Sequence, residues 1–138
     1  MSSSGPSSEF SHVIDWVEAM EQCGDDEEFL RELLSDLRGE VDAQMERIDD
    51  VLKNALDDQS FLLIMRASHV IKGASSNLMC QQLRDTSTSL EQTAASAKEI
   101  PAGDAASLDA ATQAVKAKVS DLRGAVNNYH AMLDSVDI

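Results

Sequence analysis

At 138 residues, 43% of them hydrophobic, the chain can bury one core but not two, so a single domain is expected. Two prolines, six glycines and only 4% aromatics, among many Ala, Leu, Asp and Glu, favour an all-α fold, because straight-chain side chains lose little rotamer freedom in a helix. A formal net charge of -14 repels phosphate backbones and anionic lipid headgroups, which argues against nucleic acid and membrane partners, and no apolar run approaches the ~20 residues of a membrane span.

Residues 1–8 are Ser, Gly and Pro with almost no apolar payload, and are expected to be a disordered tail ahead of one domain over 9–138. Phe10, Val13, Ile14, Val17 and Met20 then fall on one helical stripe, which Gly24 ends. Asp25 and Glu28 have the form of a capping arrangement. The stripe Leu30, Leu34, Leu37, Val41, Met45, Ile48, Leu52 and Ala55 predicts a long helix over about 25–56. "DDQS" breaks the pattern, and a third helix is predicted over about 59–79. A fourth, about 81–98, carries Leu83, Ser87, Leu90, Ala94 and Ala97 on one face. "IPAGD" supplies breaker, turn and N-cap before a last long helix with Leu108, Ala111, Val115, Val119, Leu122, Val126, Tyr129 and Leu133 on its stripe. Short connections between such helices predict an antiparallel up-down four-helix bundle, with the first short helix capping one end.

The third helix carries the unusual residues. On a wheel, Leu63, Ile64, Ala67, Val70, Ile71, Ala74 and Leu78 share one arc, which is the expected core face. His69 lies about 180° from its centre and is expected to face solvent. Leu62, Met65, Lys72 and Ser76 share that outer face, and an apolar pair beside an exposed histidine suggests a docking patch. Gly73 costs ~1 kcal/mol against alanine mid-helix. It serves either a close helix contact or the close approach of a partner to the imidazole. Lys72 is either a solvated surface charge or a cation that steadies an anion held at His69, with Arg66 and Arg84 adding to a positive spot.

The run His69-x-x-Lys72-Gly73-Ala74-Ser75, followed by Asn77 and Leu78, resembles the signature of histidine-containing phosphotransfer (HPt) domains. "GDDEEFLRELLSDLRGEV" before it and "LRDTSTSLEQT" after it are similar to the family's first long helix and to the helix packed beside its histidine, so that the resemblance spans roughly residues 10–135. The resemblance implies a four-helix bundle whose exposed histidine carries a phosphoryl group between receiver-domain aspartates. It makes His69 the phosphoacceptor and donor, Lys72 the cation that neutralises the phosphoryl group, and Gly73 the room for the receiver. Glu91 matches the Gln or Glu that bonds the histidine's Nδ1 in that family; on its own wheel it is a boundary residue from which a side chain could reach across, with an ordinary surface glutamate as the alternative. Many family members have Gly where this chain has Met79, which bears on the helix exit.

The resemblance further implies a phosphocarrier without autokinase activity, and no Walker-type loop or triad is present in the sequence. Mg²⁺ is expected from the partner receiver domain, with no cofactor or metal of its own. The expected partners are the receiver of an upstream hybrid histidine kinase and those of downstream response regulators, met by a monomer through Leu62, Met65, Arg66, Gly73 and Ser76. A non-catalytic helical adaptor that binds through Leu62 and Met65 is the rival reading. Cys23 and Cys80 are expected to be reduced, and His12 and His130 to be surface or boundary residues. The cytoplasm is the expected location, with a nucleus also open to so small a chain, and the initiating Met and the ending "DSVDI" lean towards a free-standing protein.

Overall fold

The computed structural model describes residues 5–138, and every described regular element is helical. A short 3₁₀-helix, Ser8–Phe10, precedes α1 (Trp16–Gln22), α2 (Glu27–Val51), α3 (Asp58–Asn77), α4 (Gln81–Lys98) and α5 (Ala105–Ser135). Four of the five α-helices start on an aspartate. Asp15, Asp26, Asp57 and Asp104 each accept a hydrogen bond from the backbone N–H three residues on, satisfying a donor that the first turn leaves free.

The start of the chain differs from its expected reading. Residues 1–4 of the expected tail lie outside the described residues, but residues 5–8 do not. Gly5 lies so close to the indole of Trp16 that a Cβ there would stand 2.7 Å from Cδ1, and Ser8 opens the 3₁₀-helix. The stripe from Phe10 to Met20 is likewise not one helix. Val13 and Ile14 are buried, but Asp15 caps a new start and its N–H donates to Met79 O at 2.9 Å, so Val17 is turned to solvent.

The helix α2 is shorter than the expected 25–56 at both ends: its cap is Asp26, with Asp25 before it at φ 61 in the left-handed region, and it stops at Val51, with Leu52 as its C-cap. Its buried face, Leu30, Leu34, Leu37, Val41, Met45 and Ile48, is the expected one, and so are the buried stripes of α4 and of α5 from Val115 onward. The α3 helix packs most extensively on α4, α4 on α5, and α2 on both α3 and α5, around one core with Phe61 and Tyr129 as its largest fully buried side chains.

The face that α3 buries is rotated from the expected one. Phe61, Ile64, Ala67, Ser68, Ile71 and Ser75 are buried, while Leu63 and Val70, expected in the core, are 45% and 37% exposed. The serines explain the rotation. Ser68 and Ser75 each donate their hydroxyl to the carbonyl four residues back, Ile64 O and Ile71 O, at 2.6 Å, and so enter the interface with no unpaired polar group. Ser87 of α4 does the same with Leu83 O. Three small side chains let these two helices approach closely.

Met79, where the resemblance leads one to expect glycine, takes the glycine conformation with φ 57. Around it Met79 N donates to Ser76 O and Cys80 N to Ser75 O, closing the end of α3 in a Schellman arrangement. The helix therefore exits as a glycine would have it exit, and the half-buried Met79 side chain packs against the core.

Candidate phosphotransfer site

His69 stands on the outer face of α3, its side chain 65% exposed. The close α3–α4 seam brings Glu91 of α4 beside it, with Oε2 at 2.7 Å from His69 Nδ1. The other oxygen, Oε1, accepts a hydrogen bond from Lys72 Nζ at 2.8 Å. Burial pushes the Glu91 carboxyl up, but the hydrogen bonds from Lys72 and His69 and their charge outweigh it, so its pKa lies below the ordinary value. An ionised carboxylate only accepts, so the proton between the two groups belongs to Nδ1. In the neutral imidazole the lone pair is then on Nε2, the nitrogen on the far edge of the ring from α4.

Among the described residues, Arg66 is exposed and has no hydrogen-bond or ion-pair partner. Gly73, one turn after His69, is exposed too, and a Cβ there would meet nothing within 4 Å. A close helix contact is therefore not what this glycine serves. Ser76 is half-buried and donates its hydroxyl to Lys72 O at 2.7 Å, which ties it to the helix backbone. Leu62 is half-buried and Met65 is packed against the core, so this pair is not the exposed one. The exposed apolar side chains on α3 are Leu63 and Val70, a consequence of the rotated face. They line a groove between α2 and α3 together with Arg47 and Arg66.

The Hpt domain family model matches residues 32–125, more than half of the chain and all of this site. The chain belongs to the Hpt domain family. No curated protein and no solved structure matched it. An Hpt domain is a phosphocarrier module of phosphorelay signalling, which interacts with receiver domains of two-component systems.

Elsewhere on this Hpt domain, His12 is exposed, and His130 pairs across helices with Asp42, Nε2 to Oδ1 at 2.9 Å, a contact that i,i+4 spacing could not reveal. Both cysteines are free; burial pushes the Cys80 thiol up to about 12, which leaves it unreactive at neutral pH. Among the described residues, no group of three or more His, Cys, Asp and Glu is placed to hold a metal ion, and no helix is long and apolar enough to cross a membrane.

Proposed function

We propose that His69 accepts a phosphoryl group from the aspartyl phosphate of an upstream receiver and passes it to the aspartate of a downstream response regulator. The observation that carries this reading is an exposed imidazole whose Nδ1–H is fixed by an ionised carboxylate at 2.7 Å, leaving Nε2 open to solvent. Nε2 attacks phosphorus, the aspartyl O–P bond breaks, and the carboxylate leaves with the electron pair. The Nδ1 proton stays on the ring, where Glu91 balances the imidazolium. Transfer onward reverses each step.

Because the transition state of phosphoryl transfer is loose, positioning and charge neutralisation supply most of the catalysis. Glu91 orients the ring, and Lys72, with three donors on its ammonium, stabilises phosphoryl charge as well as bonding Glu91. Mg²⁺ comes with the receiver domain. Leu62, Met65, Arg66, Gly73 and Ser76 lie around the docking surface, with Leu63 and Val70 as its exposed apolar part. In this reading α2 to α5 form an antiparallel up-down bundle with α1 as the additional helix, and the chain acts in the cytoplasm as a monomer without autokinase activity.

The test is phosphate uptake from Mg²⁺-loaded, phosphorylated receivers by wild type and His69→Gln. Acid-labile, base-stable phosphate on wild type alone, with unchanged helical circular dichroism in the variant, is the expected result. No uptake from any competent receiver would leave a helical adaptor in its place.

A further inference from the structure

The bond from Glu91 fixes which edge of the His69 ring receives the phosphoryl group. In an imidazole Nε2 lies at the outer end of the ring, and its lone pair points outward with a tilt away from the Nδ1 side. With Nδ1 held towards α4, Nε2 points outward and tilts towards the other flank of α3. Lys72 is on the α4 flank, about 60° around the helix from His69, and is tied there by its own bond to Glu91. The residues on the Nε2 flank are Gly73 and Arg66, about 40° and 60° the other way. Arg66 lines the groove shared with α2, which confirms the flank.

Arg66 is three residues before His69, a neighbouring position on the helix surface. Helical side chains lean towards the N-terminus, which inclines His69 towards the turn that carries Arg66. The one acid in the Arg66 groove, Asp50, is paired with Lys53 at 3.1 Å, and Arg47 in the same groove bonds Gln44. Gly73, one turn to the other side of His69 along the helix, adds no side chain to that flank.

We propose that Arg66 is a second cation for the phosphoryl group on Nε2 of His69, acting from the flank opposite Lys72. The inference rests on the phosphocarrier reading and adds a residue that touches the transferred group. A guanidinium offers paired donors to two phosphoryl oxygens, and these oxygens carry more charge in phosphohistidine than in the metaphosphate-like transition state. Arg66 therefore stabilises the phosphorylated protein and lengthens its life.

The experiment loads His69 from phosphoramidate and follows the decay of phosphohistidine with no receiver present. In loading, the Nε2–P bond forms, the P–N bond of the donor breaks, and ammonia leaves with the electron pair. Arg66→Ala is expected to shorten the lifetime roughly threefold to tenfold, the range of an exposed charge-assisted contact to a doubly charged group, and Arg66→Lys to restore part of it. Both are substitutions at an exposed helix position, and circular dichroism checks the fold. A lifetime unchanged in Arg66→Ala, with only receiver-dependent transfer slowed, overturns the proposal and makes Arg66 a docking residue. If wild type takes no phosphoryl group from phosphoramidate or from receivers, the phosphocarrier reading fails, and this inference with it.

Discussion

Glu91 accepts from an imidazole and an ammonium at once, and its titration should register in the stability of the fold. Its folded pKa lies below the unfolded value near 4.5, so between the two the unfolded chain binds more protons and stability rises with pH. The contribution of the bridge is fully present above about pH 4.5 and is lost as pH falls through the depressed folded value. Urea denaturation of wild type and Glu91→Gln across pH 3 to 7 should therefore show a gap in stability that is constant at the upper end and narrows at the acid end. A gap independent of pH would mean that Glu91 acts by shape and not by charge. At this scale the site was only partly legible in the sequence. The exposure of His69 follows from periodicity, since no rotation of the buried face by a few tens of degrees brings it inside. The bond from Lys72 to Glu91 does not, because it depends on how closely two helices pack, which the pattern of neither helix sets alone.

At the scale of one element, α3 carries a glycine that its own stability does not require. With nothing within 4 Å of a Cβ at 73, Gly73→Ala should stabilise the protein by about 0.5–1 kcal/mol through helix propensity, read as a rise in Tm of roughly 2–4 °C. Gly73→Gln should likewise fold well and yet slow phosphoryl transfer to receivers by its bulk. Transfer at the wild-type rate in that variant would show that no partner approaches there. The same helix shows where sequence reading errs. Leu63 and Val70 read as core and are exposed, while Ser68 and Ser75, which the expected core arc leaves out, are buried. Hydroxyls bonded to their own helix behave as small apolar groups at a close seam, so counting them as polar rotates the inferred face. In α2 no such residues intervene on the stripe from Leu30 to Ile48, and the reading from the sequence agrees with the buried face. The helix α1 went astray for a different reason: the cap at Asp15 interrupts a stripe that looks continuous from Phe10 to Met20.

On the scale of the whole molecule, the helices that hold the site, α3 and α4, share the broadest seam, whereas α2 and α5, the first and last of the four long helices, meet more sparingly. Long side chains close that second seam. Arg123 pairs with Asp49, His130 with Asp42 and Arg38 with Asp134, and Arg31 and Arg38 also bond the carbonyls of Val136 and Ile138. The pairs that lie open to water contribute little each, because solvent screens them and ordering two long side chains offsets the attraction. The buried tie is of another kind. Tyr129, fully buried in α5, donates its hydroxyl to Leu34 O of α2 at 2.6 Å, and burial, as its largest cause, raises its pKa, so it remains a donor through the working pH range. Tyr129→Phe removes that bond and leaves the ring packing in place, at a cost of about 1 kcal/mol, or roughly 3 °C in Tm. Because the bond from Tyr129 to Leu34 involves none of His69, Lys72 and Glu91, phosphoryl uptake at His69 should be unchanged in the folded variant. If uptake fell with stability at temperatures well below Tm, the α2–α5 seam would be coupled to the geometry of His69 and Glu91, and the site would depend on the whole helical assembly instead of on the α3–α4 pair.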